Sequence, residues 1–211
     1  MSTQLSDLLF GDVSLDQWPA QVNASIKEVE PWRSFIEARE KLKSGDKARA
    51  IALWKRVAGM NDVESRQTLQ AWHFLRENGE NVPEDQHKNL LGMVIEVPVE
   101  TGVDFLAAYP DGNARYINFT GKTVLWEHPN DSLDAEIGQL LAAGQNILNR
   151  IGPWDKPRLG APPMGHIRIS MLSPAGLHFG QGPYDVLSKD AMAMPAIDAG
   201  IALMHKLTQL G

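Results

Sequence analysis

Cysteine is absent from this chain of 211 residues. That excludes disulfide frameworks, thiolate nucleophiles and cysteine-ligated zinc, and it accords with a cytoplasmic protein. Long apolar runs are missing too, since none approaches the ~18 residues of a membrane-spanning helix. Residues 1–7 lack both the basic start and the apolar stretch of an export signal, so the expected location is the cytoplasm, with no membrane partner. Positive charge is in deficit: 20 Lys and Arg against 26 Asp and Glu give a net charge of −6. A nucleic-acid binder normally carries a basic face that releases counterions from phosphate, so no nucleic-acid partner is expected. The densest basic stretch, residues 41–56, places Lys41, Lys43, Lys47, Arg49, Lys55 and Arg56 at helical spacing between apolar residues, the pattern of a solvated helix face. What is present is a 43% hydrophobic and 22% charged composition. That is ordinary for a folded protein, and the length suffices for one large domain or two small ones.

Charge density changes near residue 90. Of the charged residues, 26 fall in residues 1–90 and 20 in residues 91–211. The first block reads as short helices: a weakly patterned start with Leu8, Leu9, Phe10, Val13, Leu15 and Trp18 as scattered anchors, giving a brief N-terminal helix and a loop through Pro31, then two stripes over residues 31–58. Phe35, Ile36 and Leu42 mark one stripe and Ala50, Ile51, Trp54, Val57 and Ala58 the other, with Ser44-Gly45-Asp46 between them. A third helix is expected over residues 63–77 with Leu69, Trp72 and Leu75, and a short fourth from Pro83 to about Leu90. Residues 31–58 resemble a single tetratricopeptide-type repeat, with Gly45 at its turn, Ala50 where the helices touch and Trp54 four residues later. Ser34, Glu37 and Lys41 depart from that family's first helix. The resemblance covers one repeat where a stable array needs about three, so a lone helical hairpin is expected.

From Leu91 the period changes to two. Residues 91–99 and 103–109 alternate, and Pro110-Asp111-Gly112 is a turn signal in which glycine supplies positive φ. Return strands are expected at residues 114–119 and 123–127, then a helix over residues 133–151 capped by Asp131 or Ser132. A second hairpin is expected at residues 166–172 and 177–180, closed by Ser173-Pro174-Ala175-Gly176, and a last helix over residues 194–210. The class is therefore α+β, a helical N-terminal region followed by an antiparallel sheet with two helices packed on it. The regions 1–90 and 91–211 form two domains or one continuous domain. The element order after residue 90 is similar to that of the profilin, roadblock and longin families, a likeness of order alone that implies no function.

Chemistry is harder to find. Seven of the fourteen residues over 152–165 are Gly or Pro, and this loop carries Trp154 and Arg158, residue types favoured at binding hot spots. With Tyr184, they are the candidate contacts for a protein partner. The other reading is a stiffened strap that Trp154 staples to the core. His166, Arg168 and Ser170 alternate on one strand, with His178 on its partner. They are candidates for an anion or small-molecule pocket, or with Asp185 for a metal site, with ordinary sheet histidines as the plainer account. No Gly-x-Ser-x-Gly elbow, phosphate loop or calcium loop is present, and Asp104, Asp111 and Asp131 read as scattered among turns. No catalytic residue, metal or cofactor is assigned. The expectation is a non-catalytic cytoplasmic interaction protein of adaptor, inhibitor or immunity type. The alternative is a small-molecule sensor or hydrolase with a pocket near His166, Arg168 and His178.

Overall fold

The computed structural model describes residues 3–18 and 25–210. Part of the expected loop before Pro31, residues 19–24, lies outside the described residues. The chain divides between Glu84 and Asp85 into two compact units.

The first unit is helical. It contains α1 (Thr3–Phe10), α2 (Trp32–Lys43), α3 (Lys47–Ala58) and α4 (Ser65–Glu77), with no strand over residues 31–80. The α2–α3 turn forms as its residues require. Gly45 takes φ +87°, its N–H donates to Leu42 O, and Asp46 Oδ1 accepts from Arg49 N–H to cap α3. Ala50 and Trp54 are fully buried. Trp54 packs on Phe74 at 5.4 Å, Phe74 on Phe35 at 6.2 Å, and Phe35 on Trp18 at 5.6 Å, so aromatic rings form much of this core. Gln70 ties the N-terminal segment to α4 by accepting from Val13 N–H and donating to Val13 O. The helix expected from Pro83 shrinks to one 3-10 turn, Glu84–Gln86. Its residues offer no apolar face, and so short a segment cannot offset the cost of helix nucleation alone.

The second unit is a six-stranded antiparallel sheet in the order β4-β3-β2-β1-β5-β6, formed by β1 (Gly92–Val99), β2 (Gly102–Ala108), β3 (Ala114–Ile117), β4 (Thr123–Trp126), β5 (His166–Ser173) and β6 (Gly176–Pro183). Helices α5 (Asp134–Leu148) and α7 (Met194–Leu210) pack on one face, and a one-turn α6 (Tyr184–Leu187), not foreseen in the sequence, follows β6. The architecture is α+β, as the change of period implies. Met93, Ile95, Leu106, Ile169 and Met171 point to the helix face and share a core with Leu140, Ile147, Ile197 and Leu203. Val94, Glu96, Phe105, Ala107, Arg168 and Ser170 belong to the opposite face and are buried as well.

Two further details differ from expectation. Neither Asp131 nor Ser132 caps α5. Leu133, buried in the core, takes the cap position, leaving Asp134 and Glu136 in the first turn to complement the helix dipole. Asp104 is not a turn residue either; it lies within β2, opposite Val97 of β1.

Candidate functional site

The Gly- and Pro-rich stretch of residues 152–165 is a strap fastened to the outer end of the sheet. Trp154 N–H donates to Leu177 O at 2.7 Å and its indole Nε1–H donates to Pro157 O at 3.0 Å. The ring meets Phe179 edge-on at 5.1 Å, with the Lys156 ammonium 5.5 Å from its centre. Trp154, half-buried, thus joins the strap to β6 through its backbone N–H and its ring.

Arg168 completes the fastening. Its Nη1 donates to Glu96 Oε1 at 3.1 Å and to Leu159 O at 3.4 Å, its Nη2 to Gly160 O and Gln181 Oε1 at 2.7 Å each, and its Nε to Gln181 Oε1 at 2.9 Å. A guanidinium has five N–H donors, and these bonds occupy them. Both side chains of the Arg168–Glu96 pair are at least 96% buried. Burial pushes the Glu96 carboxyl above the usual carboxylate range, while Arg168, chiefly, and Arg158 pull it back. Arg158 thus acts on Glu96 electrostatically from the strap.

The three residues of the expected anion or small-molecule pocket are not brought together. Arg168 lies on the strap face. His178 is opposite Met171 in the ladder, which puts it on the helix face, fully buried, with Nδ1 3.3 Å from Gly176 O. His166 sits at the start of β5 with Nδ1 3.4 Å from Met164 O. The sheet separates Arg168 from His178. Among the described residues, no group of three or more His, Asp or Glu is placed to hold a metal ion.

A different site stands out. On the helix face, α7 and the sheet leave a cleft of about 230 Å³ whose wall is almost wholly apolar and includes Ile95, Val97, Leu106, Ile197, Ile201 and Met204. Gly200 lets α7 lie close to the sheet at its floor, because a Cβ there would come within 2.6 Å of Ile95 Cδ1. Three apolar rim residues reach solvent: Val97 is 39% exposed, Ile201 38% and Tyr184 44%. Tyr184, one of the partner candidates, is thus placed at the cleft and not with Trp154 and Arg158.

One end of the cleft is polar. Tyr116 O–H donates to Asp104 Oδ2 at 2.7 Å and Phe119 N–H donates to Asp104 Oδ1 at 2.8 Å. Tyr116 stands opposite Leu106 in the β2–β3 ladder, diagonal to Asp104 on the same face. Burial, and then the neighbouring carboxylate, push the Tyr116 hydroxyl up to about 12, so it keeps its proton and remains a donor. Beyond Tyr116 lies a smaller hollow of about 140 Å³ bounded by Asn118, Lys122, Val124 and Thr208. Sequence reasoning passed over this site. Its available signal was Asp104 inside the apolar run Val103-Asp104-Phe105-Leu106, where a charged residue on a buried face calls for a reason.

Compared with family models, with curated proteins and with solved structures, the chain matches none. These comparisons give the repeat resemblance of residues 31–58 no support. No helix among the described residues is long and apolar enough to cross a membrane.

Proposed function

We propose that this chain is a non-catalytic interaction protein whose α+β unit takes an apolar anchor side chain of a protein partner in the cleft between α7 and the sheet. The observation that carries the reading is the cleft itself, about 230 Å³, apolar-walled, with Val97, Tyr184 and Ile201 exposed around its mouth. Exposed apolar side chains gathered around a concavity are what a partner's anchor residue needs, and burying a leucine- or phenylalanine-sized group gains about 1.5–3 kcal/mol. The volume falls below the ~300–1,000 Å³ of small-molecule pockets, which favours a single anchor with its rim contacts over a free ligand. The wall offers one carboxylate and two phenols, Tyr116 bonded to the carboxylate and Tyr184 on the rim, and no serine, histidine or lysine. That inventory suits recognition better than catalysis.

The reading moves the partner site from the 152–165 strap, which Trp154 and Arg168 fasten to the sheet, to the side of the unit that carries Tyr184. Its test is affinity capture from the native host with three forms of the tagged full chain: unaltered, Ile201→Arg and Trp154→Ala. Ile201 is on the rim, so an arginine there obstructs the mouth without emptying the core. A partner held by the unaltered chain should be lost with Ile201→Arg and kept with Trp154→Ala, provided melting curves show both variants folded. Loss with Trp154→Ala and retention with Ile201→Arg would return the site to the strap.

A further inference from the structure

We infer that the cleft recognises a basic side chain beside the apolar anchor, so that the partner segment carries lysine or arginine next to an aliphatic or aromatic residue, with the cation meeting Asp104. This rests on the cleft reading above and narrows it to a chemistry. Asp104 closes one end of an otherwise apolar wall. Its two hydrogen bonds come from neutral donors, the Tyr116 hydroxyl and the Phe119 amide. They fix the orientation of both oxygens but leave the charge unopposed, and a carboxylate has about four lone-pair sites, so acceptor capacity remains. Among the described residues no lysine, arginine or histidine forms an ion pair with Asp104.

The surroundings strengthen the preference. Apolar walls lower the local dielectric, so attraction to an arriving cation is stronger and less screened than at an open surface. A charge-assisted bond to an ammonium or guanidinium is roughly twice as strong as a neutral one. An acidic or neutral polar group at this end gains neither, and an acidic one is repelled. Asp104 faces Val97 across the β1–β2 ladder, and Val97 is on the exposed rim. A long side chain can therefore reach the carboxylate along the mouth while its neighbour fills the apolar floor.

The test is selection of random twelve-residue peptides displayed on phage against the full chain, with parallel selections on Asp104→Asn and on Glu28→Gln. Glu28 is exposed and is not a lining residue of the cleft, so its variant matches the loss of charge with the cleft's own residues unaltered. Clones are kept as cleft-dependent when binding is lost on Ile201→Arg. On the unaltered chain such clones should carry Lys or Arg within two positions of Leu, Ile, Met, Phe or Trp. On Asp104→Asn the basic preference should vanish while the apolar one persists, and a peptide selected on the unaltered chain should bind at least about tenfold more weakly. Glu28→Gln should leave both unchanged. Cleft-dependent clones without a basic preference, or a preference that survives Asp104→Asn, would overturn this inference and leave the cleft reading standing. A selection that yields no cleft-dependent clone would remove both.

Discussion

Arg168 sits among Glu96, Gln181 and two strap carbonyls, and its replacement is a direct probe of how much the strap depends on one side chain. Arg168→Met removes the counter-charge of a carboxylate that is itself at least 96% buried. Breaking such a pair from one side costs about 3–5 kcal/mol because the remaining charge has no compensation. Adding Glu96→Gln to Arg168→Met should recover part of that loss, since an amide is cheaper to bury than a carboxylate. Urea melts of the single and double variants measure both effects, and a single-variant loss below about 1 kcal/mol would mean that Glu96 reaches water and that the strap is loosely held. His73 of α4 offers a test in the other unit. Burial, with Arg76 adding repulsion, lowers its ring to about 4 from 6.5. Glu77, 3.4 Å from Nε2 and about half exposed, does not offset this. A depressed histidine stabilises the fold fully above its free value of 6.5, where both states are neutral. As pH falls toward 4 the unfolded chain takes up a proton that the folded chain refuses, so stability declines. At about 1.4 kcal/mol per pH unit the loss reaches roughly 3 kcal/mol. Melts from pH 7 to 4 should show this decline in the unaltered chain and a shallower one in His73→Gln; equal slopes would place His73 in water. Of these residues, Trp54 and Ala50 were legible because helical spacing marks a buried stripe. Glu96 and Asp104 each interrupt an apolar run, which marks them as unusual, but their partners are set by register and were hidden.

Helices and strands were legible where the apolar period was long. α3, α4, α5 and α7 follow their stripes to within a few residues, and the hairpins close where Gly112, Gly121 and Gly176 take positive φ. The turn signal worked because only glycine adopts that backbone without a Cβ penalty. The segment after Pro83 misled, since a helix-start signature without an apolar face has nothing to dock. The way the helices meet the sheet was also hidden, because it depends on what lies above each glycine. Within α5, a Cβ on Gly138 would meet nothing within 4 Å, whereas one on Gly144 would come within 2.1 Å of Met93 Sδ. Gly138→Ala should therefore stabilise the protein by about 0.5–1 kcal/mol through helix propensity. Gly144→Ala should destabilise it by about 1–3 kcal/mol, because fully buried Met93 must be displaced. Thermal melts of the two variants check the contrast, and a gain in both would mean that α5 stands off the sheet.

At the scale of the whole molecule, the change of composition near residue 90 reports a change of architecture, from helices around an aromatic core to a sheet with helices on one face. The functional candidates divide along a different line. Residues chosen for their individual character, Trp154, Arg158, His166, Arg168 and His178, are mostly committed to the strap and sheet. The cleft is assembled mainly from ordinary apolar residues of β1, β2, β5 and α7, with Asp104, Tyr116 and the candidate Tyr184 beside them, a set that only the fold brings together. No composition rule marks such a set, so the site could not be read before the topology was known.

Binding in the cleft is read most directly by methyl and indole NMR of the full chain during titration with a peptide selected on it. The methyl signals of Ile95, Ile197, Ile201 and Met204 should shift together and saturate with one dissociation constant, while the Trp154 indole N–H signal stays in place. Shifts at Trp154 or among the residues of α2 and α3, with the cleft methyls unmoved, would place binding outside the cleft.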